Sequence, residues 1–176
     1  MKRLPLIALF TFIVMAFVAC KDDDNNLEKY KEWRETNKTW LAEQELRIGT
    51  YYQKIVPSYD RGQYVLMHWF NDRSATAGNL QPMYTSRVKV KYIGRLCNDV
   101  AFDSSYLATD SIFETKVGAV ISGWSIALQE MRVGDSVQVV IPYQSAYGTS
   151  GSGSILPFSN LSFNIKLVDI PNWETK

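Results

Sequence analysis

Three runs in the second half of the chain alternate apolar and polar residues with a period of two, and this pattern limits the fold more than any other feature. In "RVKVKYIGRL" Val88, Val90 and Tyr92 share one face and Lys89 and Lys91 the other. "DSVQVVIP" repeats the pattern with Val137, Val139 and Ile141, and "LSFNIKLVDI" with Leu161, Phe163, Ile165 and Leu167. Strict alternation marks strands that bury one face only, as antiparallel sheets do. "YVLMHWF", residues 64–70, adds a strand, and "NDRSATAGNLQP", residues 71–82, is a polar loop rich in breakers. Among these strands only Gly123 to Arg132 has helical spacing, with Trp124, Ala127, Leu128 and Met131 at i, i+3, i+4 and i+7. The predicted fold class is therefore α+β: a curved antiparallel sheet wrapped around one short helix.

Upstream of Tyr51 the period is helical. "LEKYKEWRETNKTWLAEQELR", Leu27 to Arg47, is charged and helix-favouring, with Tyr30, Trp33, Asn37, Trp40 and Leu41 along one face and Gly49 as a stop. This predicts an N-terminal helical extension over 27–48, ahead of a domain over 50–176. Two tryptophans on a charged helix must be covered. Either the stripe packs back on the domain, or it meets a partner or a second copy of the chain.

Before that helix, Lys2 and Arg3 precede the apolar run Leu4 to Ala19 and then Cys20, the layout of a secretory signal over 1–19. The run is short for a membrane span, and a retained anchor is the less favoured alternative. "FVAC" resembles the lipobox of bacterial lipoproteins, which implies that Cys20 is lipidated and becomes the new N-terminus, tethering the chain to a membrane leaflet. Residues 20–26 then form a polar linker. Its "KDDDNN" is similar to the export signal of surface lipoproteins in Bacteroidota. The expected location is the bacterial envelope, lipid-anchored to the outer membrane, either periplasmic or surface-exposed.

Several chemistries find no support in the residues. A net charge of +1 gives no electrostatic footprint for nucleic acid. His68, the single histidine, lies in an apolar strand-like run without metal-ligand spacing around it, and is expected as a hydrogen-bonded core or edge residue. Cys97 has no partner if Cys20 carries lipid, and is expected as a small buried apolar residue. No metal and no cofactor is predicted.

A sheet that curls around a helix leaves an opening near one end, and Trp124 sits on the first turn of the helix at that end. On periodicity alone its ring serves either as plain core packing or as a broad apolar floor to that opening. Tyr92, Phe102, Phe113, Val120, Ile121, Tyr147 and Phe163 lie on strand ends or loops, where several can converge above it.

From about Val88 to Ile170 the chain resembles an FKBP-type peptidyl-prolyl cis/trans isomerase domain, in "VKVKYIGRL", "FDSSY", "VGAVISGWSIALQEMRVGDSVQVVIPYQSAYG" and "ILPFSNLSFNIKLVDI". The resemblance implies that Trp124 is the floor on which a substrate proline rests. It makes Tyr92, Phe102, Phe113, Val120, Ile121 and Phe163 the walls. Tyr147 becomes a hydrogen-bond donor to a substrate carbonyl, Asp103 an acceptor on the rim, and Ile155 and Leu156 an aliphatic pair beside it. Partners would be polypeptide clients containing X-Pro bonds, and the activity would assist folding of exported proteins. Two departures from the family pattern stand out. "YLATDSIF" has no basic residue to pair with Asp103, and the tip "TSGSGS", Thr149 to Ser154, lacks the histidine and proline common there. These departures favour the alternative of a weakly catalytic or non-catalytic binding module on the same fold.

Overall fold

The computed structural model describes residues 26–171. The predicted signal, Cys20 and residues 21–25 of the linker lie outside the described residues. Among the described residues, no helix is long and apolar enough to cross a membrane.

Helix α1 spans Lys31–Glu45, and seven strands follow in one antiparallel sheet: β1 Gln53–Ile55, β2 Val65–Trp69, β3 Arg87–Leu96, β4 Ala101–Ser104, β5 Phe113–Lys116, β6 Ser136–Ile141 and β7 Leu161–Asp169. The second helix, α2, spans Ser122–Glu130 between β5 and β6. The strand order is β1-β2-β6-β7-β3-β4, and β5 also pairs with β3. At the centre, Tyr92 of β3 lies opposite Ile165 of β7, and Val139 of β6 lies opposite Phe163.

The alternation expected for β3 and β7 is what folds. Val88, Val90, Tyr92, Leu161, Phe163, Ile165 and Leu167 are buried against α2, while most of the residues between them are partly or fully exposed. Helix α2 differs from its predicted stripe, because every residue from Gly123 to Leu128 is buried. The chain after β5 crosses the helix on a side the spacing left open, and the Ser125 hydroxyl donates to the Val117 carbonyl at 2.6 Å. Gly123 meets β6 so closely that a Cβ would stand 2.3 Å from Ile141 Cγ2. Contact on several sides makes this helix a core element, and burial of that kind stabilises by roughly 25 cal/mol per Å² of apolar surface.

On the opposite face of the sheet, β2 and β6 bury consecutive residues, Val65 to Met67 and Val139 to Ile141. Helix α1 is the reason. Leu66, Val140 and Tyr52 form a second apolar cluster, against which Trp40, Leu41, Tyr51 and Tyr64 pack. The tryptophan stripe is thus covered in good part by the chain's own sheet. The predicted helix is also interrupted near its start, since Tyr30 separates Lys31–Glu45 from a short helical stretch at 26–29.

The polar loop after β2 is fastened to the core through Asp135, which is fully buried. Its carboxylate accepts hydrogen bonds from Asn71 Nδ2 at 3.0 Å, Thr76 Oγ1 at 2.6 Å and the Arg132 amide at 2.9 Å. A buried carboxylate persists only with such satisfaction. His68 stacks on Tyr51 with ring centroids 3.8 Å apart, and its Nδ1 lies 3.0 Å from the Tyr51 carbonyl oxygen, an edge role rather than a catalytic one. Cys97 is half-buried rather than fully buried, and burial pushes its thiol up.

Candidate active site

Four strands and the first turn of α2 deliver side chains to one cavity of about 280 Å³. Its size is near the lower end of small-ligand sites, about 300–1,000 Å³. Tyr92 comes from β3, Phe102 and Asp103 from β4, Phe113 from β5, and Phe163 from β7. Ala119, Val120 and Ile121 come from the chain leading into α2, Trp124 from its first turn, and Tyr147 from the loop after β6.

The indole of Trp124, only 4% exposed, is the hub. Tyr92 meets it edge to face at 4.9 Å and 88°, Phe163 at 5.3 Å and 90°, and Phe113 at 6.3 Å and 84°. Phe102 stands against Phe163 at 5.6 Å and 85°. Near-perpendicular pairs set the positive edge of one ring against the negative face of the next, worth about 0.5–1.5 kcal/mol each beyond area burial. The arrangement is a self-braced aromatic box. It is wide because β3 carries Gly94 between Asp103 of β4 and Phe163 of β7. A Cβ there would lie 2.6 Å from Phe163 Cε1 and 2.8 Å from Phe102 Cζ.

Polar atoms are few and sit at the rim. Asp103 accepts from the Tyr92 hydroxyl at 2.5 Å through Oδ2 and from the Ser104 amide at 2.8 Å through Oδ1. The absence of a basic side chain after "FDSS" therefore does not leave the carboxylate loose, since a phenol and a backbone amide fix it. Burial and the Asp103 hydrogen bond raise the Tyr92 phenol well above the usual tyrosine range, so it stays a donor across physiological pH. Tyr147 is raised as well, by burial first and then by the Asp103 charge. Its hydroxyl has no partner among the described residues and its ring is about one-third exposed, which leaves the donor available to a ligand.

The structure brings Tyr92, Phe102, Asp103, Phe113, Val120, Ile121, Trp124, Tyr147 and Phe163 together, and leaves Ile155 and Leu156 out. Ile155 is buried in the main core and Leu156 is 40% exposed on the surface. A tight turn is responsible. Ser152 and Ile155 exchange amide-to-carbonyl hydrogen bonds of 2.9 Å in both directions. Gly151, at φ +71°, passes so close that a Cβ would stand 2.3 Å from the Ile155 carbonyl oxygen. Ala119 and Gly94 are the residues that sequence reasoning missed. A small residue in "VGAV" gives no signal of its own, and Gly94 acts by what it does not fill.

Larger grooves of about 560 and 630 Å³ run along α1, flanked by charged residues such as Glu35. They gather no comparable set of rings.

Residues 78–168 match the family described as FKBP-type peptidyl-prolyl cis-trans isomerase, a stretch that begins ahead of the best-matching block read from the sequence. The FKBP-type 22 kDa peptidyl-prolyl cis-trans isomerase of Escherichia coli (strain K12) is 44% identical over 90 residues, 51% of this chain and 43% of that protein. The macrophage infectivity potentiator of Trypanosoma cruzi is 41% identical over 96 residues, 53% of this chain and 48% of that protein. The chain thus spans less than half the length of these relatives. Among solved structures, a peptidyl-prolyl cis-trans isomerase from Pseudomonas syringae pv. tomato str. DC3000 superimposes with a TM-score of 0.65 at 28% identity, covering 80% of this chain and 95% of that one. FkpA from Escherichia coli gives 0.60 at 26% identity, covering 85% of this chain and 61% of that one.

Proposed function

Because the chain belongs to the FKBP-type peptidyl-prolyl cis-trans isomerase family, we propose that the cavity above Trp124 receives a proline ring and speeds rotation of the bond before it. The observation that carries this reading is the box itself: four rings around or beside one indole, with polar atoms, two phenol hydroxyls and a carboxylate, confined to the mouth.

Rotation about an X-Pro bond breaks no covalent bond and moves no proton. It must lose amide resonance, against a barrier of about 20 kcal/mol. The planar amide is more polar than the twisted one and is better solvated by water. Apolar walls that exclude water therefore favour the twisted form, and binding energy spent on that form lowers the barrier. Tyr147 donates to a carbonyl flanking the bond. Asp103, held by Tyr92 and the Ser104 amide, keeps a fixed acceptor at the rim and takes part in no proton transfer. No nucleophile or acid/base pair is needed.

The expected result for Tyr147→Phe is a kcat/KM lower by about tenfold on a short X-Pro peptide, the worth of one hydrogen bond of about 1–1.5 kcal/mol. Its thermal midpoint should stay at the wild-type value, because the hydroxyl has no partner among the described residues. Unchanged kcat/KM would remove Tyr147 from the reaction.

One observation favours a second reading, a peptide-binding module with little turnover. The tip over 149–154 carries Gly151 and Gly153 at positive φ and turns Ile155 and Leu156 away from the cavity. That leaves fewer groups to clamp a substrate.

The place of action is read from the chain ahead of the fold. The basic start, the apolar run and Cys20 support a lipid-anchored envelope protein whose clients are exported polypeptides. Labelled fatty acid should enter the wild-type protein in cells and be lost in Cys20→Ser, and equal labelling of both would contradict the anchor.

A further inference from the structure

Helix α1 lies outside the matched stretch, yet it is wired to the loops that border the cavity. Asn37, 1% exposed, is the buried polar residue of that helix. Its Oδ1 accepts from the Asn160 amide at 2.7 Å, and its backbone carbonyl accepts from Asn160 Nδ2 at 2.7 Å. Its own Nδ2 is spent on the Trp33 carbonyl at 2.9 Å, which locks the amide orientation. Asn160, also 1% exposed, passes the connection on, because its Oδ1 accepts from the Tyr143 amide at 2.8 Å. Tyr143 opens the turn that ends in Tyr147, and its carbonyl accepts from the Gly148 amide at 2.8 Å.

A second route runs in parallel. Trp33 Nε1 donates to Ser159 Oγ at 3.0 Å, and that hydroxyl donates to the Leu156 carbonyl at 2.6 Å. The neighbouring Phe158 donates its amide to the Gly148 carbonyl at 3.0 Å, next to Tyr147. Phe158 holds φ at +62°, a conformation that a bulky residue keeps only where its surroundings impose it. The surroundings are the Tyr143 ring at 5.5 Å and the Arg34 guanidinium of α1 at 5.8 Å.

We propose that Asn37 is a positioning residue for the isomerase site: through Asn160 it fixes the Tyr143–Gly148 segment, so that α1 sets the Tyr147 hydroxyl at the cavity mouth. Resting on the isomerase reading for its kinetic arm, the inference also has an arm independent of turnover. Buried amide pairs of this kind are all-or-none, since an unpaired member bears the full desolvation cost. Removing the Asn37 side chain should therefore free the segment rather than shift it slightly.

The test uses the full chain with Asn37→Ala, the milder Trp33→Phe in case the first does not fold, and the exposed Thr39→Ala as control. Amide hydrogen exchange at Tyr143 to Gly148 should quicken by about tenfold or more in Asn37→Ala, with Val90 and Ile165 unchanged, the signature of local opening. Trp33→Phe should show the same pattern at smaller amplitude, and Thr39→Ala none. In a double-mutant cycle kcat/KM should fall roughly fivefold in Asn37→Ala and less than about twofold when Tyr147→Phe is already present, because coupled residues are non-additive. Unchanged exchange at 143–148, or an equal loss in both backgrounds, would overturn the inference. A wild-type protein without turnover would remove the isomerase reading instead, and exchange alone would then decide whether α1 holds the segment.

Discussion

Trp124→Ala should destabilise the domain by about 3–5 kcal/mol and abolish measurable turnover, the largest combined loss expected from any single truncation in the cavity. The indole is 4% exposed, so the cost includes both lost burial and an unfilled hole. Tyr92, Phe113 and Phe163 would each lose the face against which they stand. Without it the walls lean inward and the floor becomes a pit. Denaturant melts measure the first effect, with an unchanged m-value as the sign that the folded state keeps its extent. Activity is then read at a temperature where the variant is folded. Trp124→Phe should lose less of both, since a smaller ring still offers an apolar platform. Near wild-type turnover in folded Trp124→Ala would remove the indole from its role as floor.

Gly94→Ala should cost less stability, about 1–3 kcal/mol, but lower kcat/KM by roughly 10- to 100-fold. One methyl group enters the space between two rings that both line the cavity, at 2.6 Å from Phe163 Cε1 and 2.8 Å from Phe102 Cζ. Those distances are below van der Waals contact, so one ring or both must move. Both rings are braced, Phe163 by Trp124 and Phe102 by Phe163, which directs the displacement into the cavity. Gly94 stands in β3 beside a shift of register against β4, but its φ is not in the left-handed region, so the effect is one of space rather than of backbone strain. Gly78→Ala is the matching control, because nothing lies within 4 Å of a Cβ there. Wild-type kcat/KM in Gly94→Ala would show that the two rings tolerate displacement and do not shape the substrate's path.

What could be read from the residues follows from which surfaces each element buries. β3 and β7 pack one face on α2 and leave much of the other face toward solvent, so their alternation is legible at once. β2 and the end of β6 are covered on both faces, and there the period of two disappears into "VLM" and "VVI". The covering element is α1, whose apolar stripe is visible in the sequence while the surface that meets it is not. Asn37 stands on that stripe, but its partner Asn160 lies 123 residues away and no local pattern links them.

The site divides the same way. Aromatic residues at strand ends announce a greasy opening, and helical spacing puts Trp124 beneath it. Which oxygen holds Asp103 depends on β3 and β4 pairing, which brings the Tyr92 hydroxyl to the carboxylate. An aliphatic pair such as Ile155 and Leu156 does not disclose which way its turn faces, and here the Ser152–Ile155 bridge points the first inward and leaves the second outside.

The account rests on catalysed rotation about X-Pro bonds in the cavity above Trp124. Magnetisation exchange between the cis and trans signals of a short X-Pro peptide reports that rate directly, since the uncatalysed process takes tens to hundreds of seconds. Catalytic amounts of wild-type protein should bring exchange well above background, and Phe102→Ala should return it most of the way. Background exchange with wild-type protein, while the same peptide still shifts the Trp124 and Phe163 resonances, would contradict catalysis and leave a binding module.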